Sequence, residues 1–456
     1  MTAWYDQSVF YHMYPLGMTG APRENHGEAA DSSRFAELMR WIPHIRDLGC
    51  SAIYIGPLFE STSHGYDTRD FFQVDRRLGT NEDFRRFTAL CHENGIRVVV
   101  DGVFNHTGRE FFAFQNLIQN RWDSPYKDWY RGVRFDCQSP LGDPFCYEAW
   151  QGHFELPCLN LWNPEVRGHI FKAVDFWVKE FDIDGIRLDC ANVLDFSFME
   201  ELRRVTGPMK PDFWLMGEVI HGEYSRWVND RMLHSVTNYE LHKSIYSGFN
   251  DHNFFEIAHN VRRLEAIGRD LYTFVDNHDE DRIASKLKDE NHLAPVYMCL
   301  YTLPGIPSLY YGGEWAVKGQ RTRTSDQALR PAISMDQEKS LHLPLTDLIA
   351  RLGQIHRQEA ALHHGVYRQL YLTNRQYAYL RENEKSRLLP VLNTDENPSS
   401  LSIPVPEGVT QAVPLLGEQE DFAAGADFRP QKTIIPENGR LNLTVPANWG
   451  SIIKLY

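Results

Sequence analysis

The chain has little of what marks a membrane span, a secreted scaffold or a nucleic-acid binder. No segment reaches roughly 18 uninterrupted apolar residues, so a spanning helix is not expected. Cations are in deficit: 47 Lys and Arg stand against 61 Asp and Glu, a net charge of −14. That is the wrong sign for tracking phosphates, which removes nucleic acid and anionic membranes from the expected partners. The seven cysteines (Cys50, Cys91, Cys137, Cys146, Cys158, Cys190 and Cys299) include no C-x-x-C pair and are odd in number. Neither a disulfide framework nor a zinc ribbon is indicated, and reduced, mostly buried thiols are expected. The first ten residues carry no basic stretch followed by an apolar one, which predicts a cytoplasmic protein. No low-complexity tract, like-charge block or repeat of about 20–50 residues interrupts the chain.

What is present is ordinary in amount, with 24% charged and 42% hydrophobic residues. At roughly 100–200 residues per domain, 456 residues suit about three domains or one large barrel with additions. Eight short apolar runs read as strands: Ser8–Pro15, Ser51–Pro57, Arg97–His106, Gly185–Cys190, Trp214–Ile220, Ser235–Leu241, Leu271–Asn277 and Ser308–Glu314. Amphipathic stretches separate them, including Phe35–Gly49, Asn81–Gly95, Asn163–Asp182, Phe196–Val205, Asn253–Ala266 and His292–Leu303. Strands alternating with helices predict a (β/α)₈ TIM barrel over residues 1–106 and 161–364. The long gap after the third run predicts an inserted B domain, 107–160. After a last helix, Leu345–Leu362, short alternating runs predict a C-terminal antiparallel β-sandwich over 365–456.

In such a barrel the chemistry sits at the C-terminal strand ends. Four ends carry unusual polar groups: Asp101-Gly-Val-Phe-Asn105-His106, Gly185-Ile-Arg187-Leu-Asp189, Gly217-Glu218-Val and Asp276-Asn-His278-Asp279. Arg187 and Asp189 are two apart, so they share a strand face and the guanidinium favours an ionised Asp189, as a nucleophile requires. Glu218 follows the apolar Trp214-Leu-Met-Gly, where desolvation would let a carboxyl keep its proton and act as general acid. Asp276, His278, Asp279 and Asp281 crowd together enough to suggest metal ligands as an alternative. Cys158 and Cys190 lie near these motifs but read as small buried thiols. Aromatics total 13%, and Trp122, Trp129, Trp150 and Trp162 are candidates for stacking on a flat ligand.

In this order the blocks resemble the α-amylase superfamily of glycoside hydrolases, with Ser63-His-Gly-Tyr66-Asp67 and Gly305-Ile-Pro-Ser-Leu-Tyr-Tyr-Gly312 resembling two further ones. Leu156-Pro-Cys-Leu-Asn160 and the run Gly56–Asp67 look most like the neopullulanase, cyclomaltodextrinase and maltogenic-amylase branch, without its N-terminal β domain. The resemblance implies a retaining hydrolase of α-glucans or maltooligosaccharides that works through a glycosyl-enzyme intermediate, which a sugar hydroxyl could also intercept. The same blocks serve glucanotransferases and trehalose- or sucrose-handling isomerases. Position by position it implies Asp189 as nucleophile, Glu218 as acid/base and Asp279 as the carboxylate gripping the distorted sugar. It implies Arg187 as the group orienting the nucleophile, and Tyr66, Asp67, His106 and His278 as substrate contacts. The superfamily's calcium site would use Asn105, but its oxygen partners are not recognisable here, so no cofactor or catalytic metal is expected.

Overall fold

A computed structural model describes residues 3–27, 33–417 and 432–456. Eight parallel strands form one sheet: β1 (Phe10–Met13), β2 (Ala52–Ile55), β3 (Arg97–Gly102), β4 (Gly185–Leu188), β5 (Trp214–Gly217), β6 (Ser235–Val236), β7 (Tyr272–Phe274) and β8 (Ile306–Tyr310). Their order is β6-β5-β4-β3-β2-β1-β8-β7, and a parallel bridge between Thr237 and Tyr272 closes the ring. The (β/α)₈ barrel is therefore present. Its interior is filled by side chains such as Phe10, Tyr54, Val99, Trp214, Tyr272 and Ile306, with Trp4 and Tyr5 packed beneath. A second apolar layer lies between strands and helices.

Local sequence explains most element ends. The helix Pro164–Phe181 starts where Asn163 caps the N–H of Glu165 and Pro164 sits in the first turn. It buries Val166, Ile170, Ala173, Val174, Trp177 and Phe181 at helical spacing, and Trp177 stacks on Phe59 at 4.1 Å. The sixth strand is shorter than the apolar run suggests. Asn238 accepts the N–H of Leu241 and caps the helix Tyr239–Asn250, so the chain turns helical where Ser235–Leu241 reads as extended. The eighth strand begins two residues before the predicted run and ends at Tyr310, because Gly312 adopts φ 81° and opens the turn Gly313–Trp315.

Between β3 and β4 the excursion contains the helix Phe112–Asn120 and a small hairpin, Ala149–Trp150 with His153–Pro157. It returns to the barrel where Cys158 pairs with His106. Here the expectation of reduced cysteines needs correction: Cys137 and Cys146 are joined in a disulfide, because the bridge between Arg134 and Cys146 brings their Cα atoms to 5.5 Å. The other five cysteines are free and buried.

The C-terminal part is a sandwich. β9 (Val366–Leu372), β10 (Gln376–Glu382), β11 (Arg387–Asn393), β12 (Ser399–Pro404), β13 (Ala412–Leu416), β14 (Arg440–Val445) and β15 (Trp449–Leu455) form an antiparallel five-stranded sheet, β9-β10-β11-β15-β13, and a pair, β12-β14. Leu380, Leu389, Ile403, Leu441 and Ile453 share the core between them. The strand β13 went unread in the sequence because Pro414 interrupts it; as an edge strand it tolerates the missing N–H. Among the described residues no helix is long and apolar enough to cross a membrane.

Arg381 ties sandwich to barrel. Fully buried, with no carboxylate within 4.0 Å among the described residues, it donates to the carbonyls of Thr302 (2.8 Å), Leu362 (3.1 Å) and Gly365 (3.2 Å). Burial lowers its pKa to about 10. Arg381→Met leaves three carbonyls without a donor and is expected to cost about 2–4 kcal/mol of unfolding free energy in urea titrations, whereas a loss under about 0.5 kcal/mol would mean that water replaces the guanidinium.

Candidate active site

The polar residues at the ends of β3, β4 and β5 meet at one cation. Arg187 donates through Nη1 to Asp101 Oδ1 and to Asp189 Oδ1, both at 2.9 Å, and its Nη2 lies 3.0 Å from Glu218 Oε1. The strand register produces this convergence: Asp101 is paired with Arg187 across β3 and β4, and Arg187 with Met216 across β4 and β5, two residues before Glu218. Arg187 is 3% exposed. Tyr54, from β2, donates to Asp101 Oδ2 at 2.8 Å. Room for Asp101 comes from Gly56, where an added Cβ would stand 2.4 Å from the Asp101 Cβ.

Cys190 links two of these carboxylates. Its thiol donates to Asp189 Oδ2 at 2.9 Å and its backbone N–H to Glu218 Oε2 at 3.1 Å, with the residue in the left-handed region at φ 49°. Burial, reinforced by Asp189 and Glu218, pushes the thiol pKa far up, so it stays protonated and acts as a donor. The sequence reading left Cys190 aside as core; it is buried, but against the reacting groups. Tyr239 adds a long hydroxyl contact of 3.4 Å to Glu218 Oε1.

A second cluster faces the first. Asp279 Oδ2 lies 3.1 Å from His278 Nε2, and Arg330 donates to its Oδ1 at 2.9 Å. His278 Nε2 is also 2.5 Å from the Tyr66 hydroxyl, and the two rings stack at 5.6 Å. His106 Nε2 lies 3.1 Å from the Tyr66 carbonyl, and the Trp150 ring lies parallel to it at 6.1 Å. Asp67 is held by the Ser63 hydroxyl at 2.7 Å, while its Oδ1 is buried without a partner. Arg330, which sequence reasoning missed, comes from the loop after β8; its only local signal is Asp326 four residues earlier, 2.7 Å from its Nη2.

Electrostatics separate the carboxyls. Burial raises the Glu218 pKa, with Asp189 and Asp279 adding to it and Arg187 opposing. Asp101 is raised likewise by burial. For Asp279 burial also pushes upward, but His278, Arg330 and Arg187 outweigh it and hold the carboxyl well below the usual range. Burial lowers His106, which favours the neutral imidazole.

The metal alternative loses its geometry. β7 ends at Phe274, Asp276 Oδ2 turns to the N–H of Ile283, and Asp281 Oδ1 accepts from the N–H of Arg321. Among the described residues, the one group of three possible donors close enough to share an ion is Asp189, Cys190 and Glu218, and Arg187 already bonds both carboxylates. The surroundings of Asn105 do not fit calcium either. Its amide faces His106 Nδ1 at 3.1 Å, and the Cys158 thiol and Arg131 stand nearby, where calcium needs hard oxygens. Of the candidate stacking rings, Trp129 is buried and donates to Glu165 Oε2 at 3.0 Å, so it offers no platform.

Comparison with known proteins extends this picture. Residues 38–343 match the model of the alpha-amylase catalytic domain. The chain is similar to a cyclomaltodextrinase of Thermoanaerobacter pseudethanolicus, 30% identical over 431 residues that span 89% of this chain and 73% of that protein. It is also similar to neopullulanase 2 of Thermoactinomyces vulgaris, 31% identical over 418 residues, 88% of this chain and 70% of that one. A solved cyclomaltodextrinase structure superposes with a TM-score of 0.84 at 27% identity, covering 99% of this chain and 78% of that chain.

Removing Arg187 leaves three buried carboxylates facing one another. Arg187→Met is expected to cost about 3–5 kcal/mol of unfolding free energy, and adding Asp101→Asn should return part of it. Denaturant unfolding of the two single variants and the double variant checks this; strictly additive losses would show that the guanidinium does not couple them.

Proposed function

The chain belongs to the alpha-amylase family of glycoside hydrolases, and on that premise we propose which of its residues perform the family's chemistry. It is an enzyme that hydrolyses α-glucosidic bonds of α-glucans with retention of configuration. In our reading Asp189 is the nucleophile, Glu218 the general acid and then base, and Asp279 the carboxylate that grips the distorted sugar. One observation carries this assignment: carboxylate oxygens of Asp189 and Glu218 lie within 4.8 Å of one another. That suits a pair about 5–5.5 Å apart, in which one carboxylate attacks; an inverting pair needs about 6.5–9.5 Å to hold a water.

The first half-reaction follows. Glu218, kept protonated by burial, protonates the glycosidic oxygen as Asp189 attacks the anomeric carbon; the bond to the leaving sugar breaks and a glycosyl-Asp189 ester forms. Arg187 holds Asp189 Oδ1, which leaves Oδ2 as the attacking oxygen. Cys190 meets Oδ2 through a thiol, a weak donor that orients the oxygen while sparing its electron density. In the second half Glu218, now a carboxylate, takes a proton from water, whose oxygen displaces Asp189 and restores the original configuration. The ionised Asp279 accepts hydrogen bonds from sugar hydroxyls, which strengthen as the ring distorts. His106 and His278 hydrogen-bond the hydroxyls of the same sugar, Tyr66 packs against it, and Asp67 supports the pocket.

We take residues 1–106 and 161–364 as the catalytic barrel, 107–160 as the domain walling its cleft and 365–456 as the β cap. Likeness to relatives named cyclomaltodextrinase and neopullulanase supports our reading that this chain takes maltooligosaccharides and cyclodextrins as substrates. Incubation with maltotriose, β-cyclodextrin and pullulan tests this, and absence of product from every α-glucan would overturn it. Glu218→Gln is expected to lower kcat/KM for maltotriose about 100- to 10,000-fold, but far less for α-maltosyl fluoride, whose leaving group needs no proton. Because burial raises the Glu218 pKa, the parent should lose activity as pH climbs through that value, and this alkaline limb should vanish in the variant. A Glu218→Gln enzyme as fast as the parent on maltotriose would remove Glu218 from the mechanism.

A further inference from the structure

Trp162 is the most exposed of the chain's eleven tryptophans, at 71%, and belongs to none of the hydrogen-bonded clusters above. An indole left in water needs an explanation, and its setting is rigid. The guanidinium of Arg167 lies over the ring, 5.9 Å from its centre. Arg167 is fixed by the Leu161 carbonyl, by Glu201 Oε2 at 3.0 Å, by Asp195 Oδ1 at 3.2 Å and by the Ser197 hydroxyl at 2.7 Å. The turn beneath is tied as well: Asn160 Oδ1 accepts the Trp162 N–H at 3.2 Å, and the amides of Asn160 and Asn163 both donate to the Asp128 carbonyl. The turn and the guanidinium over the ring are therefore fixed, and much of the ring's surface is free.

Position gives it a partner. Three residues earlier, the Leu159 N–H bonds to the Asn105 carbonyl, next to His106, so at most about 10 Å of chain separates Trp162 from the rim of the site. Asp195, which anchors Arg167, ends the loop that leaves Asp189, and Ser197, another of its anchors, lies in the first turn of the helix Phe196–Thr206 that follows. That loop also presents Val193, an apolar side chain 40% exposed. Trp162 and Val193 are thus exposed apolar side chains on segments that lead away from His106 and from Asp189, outside the residues that bond Asp189, Glu218 and Asp279.

We propose that Trp162 is an outlying glucan subsite whose indole stacks on the apolar face of a glucosyl ring several units from the scissile bond. This rests on the α-glucan reading and specifies its preference: long chains engage the platform and short ones do not. The positive Arg167 on one face leaves the opposite face for the sugar, whose axial C–H groups carry the weak positive polarity that an aromatic face attracts.

The test compares maltotriose with maltoheptaose. Trp162→Ala should raise KM for maltoheptaose roughly two- to tenfold, leave its kcat unchanged and leave both constants for maltotriose unchanged, and Trp162→Tyr should restore most of the loss. Unchanged maltoheptaose kinetics, or equal losses on both substrates, would overturn the platform. So would a change in oligomeric state by light scattering without any chain-length effect, which would assign Trp162 to a contact between copies. Calorimetric titration with maltoheptaose separates the two levels of inference. If the parent cleaves no α-glucan, the functional reading falls, yet binding by the parent and its weakening in Trp162→Ala would still sustain the platform; equal binding would overturn it.

Discussion

The site depends on one guanidinium shared among three carboxylates. Asp101, Asp189 and Glu218 sit at the ends of neighbouring strands, each nearly stripped of water, and at such separations their mutual repulsion would protonate or expel at least one of them. Arg187, on the middle strand, is within 3.0 Å of all three. Much nearby structure serves this arrangement. Tyr54 takes the second oxygen of Asp101, Gly56 leaves it room, and Cys190 takes the second oxygens of both Asp189 and Glu218. Since the guanidinium cannot lose its proton at any ordinary pH, the cluster keeps a fixed cation, and burial raises the pKa of two of its carboxyls, Glu218 and Asp101.

The opposite treatment of Glu218 and Asp279 has a simple origin. Glu218 meets one shared cation at the head of an apolar strand, so burial prevails. Asp279 meets two partners, His278 and an Arg330 that it shares with Asp326, and keeps its charge. A single barrel rim thus supplies an acid and a permanent anion, much as environment rather than residue type divides roles among paired carboxyls elsewhere.

Repeating chemistry along the chain made the barrel legible: eight apolar runs, most of them followed by helical spacing, match eight strands. The errors fall where a cap or glycine overrides hydrophobic pattern, as at Asn238 and Gly312, or where proline hides an edge strand, as at Pro414. Within the site, Arg187 beside Asp189 could be read from alternation alone, and the apolar run before Glu218 pointed to burial. Tyr54, Arg330 and Cys190 could not be assigned that way. Their contacts arise from strand register, a distant loop and one left-handed backbone angle, none of which leaves a local periodic trace. The pairing of Cys137 with Cys146 was equally invisible, since an eight-residue gap between two cysteines has no characteristic signature until a β-bridge brings them together.

The ring of strands is not uniform around its circumference. Where β6 and β7 meet, closure rests on the single bridge between Thr237 and Tyr272 and on the N–H of Asn238 bonding the Tyr272 carbonyl at 2.8 Å, while β6 itself has only two residues. Tyr239, the next residue, leans on Glu218. The joint with the fewest bonds therefore lies beside the proton donor, not on the far wall. As temperature rises, loosening of this joint would disturb the acid before the rest of the barrel yields. Hydrolysis would then fade at temperatures where the bulk of the secondary structure still persists, so the durability of the catalyst and the durability of the fold are separate properties of this chain.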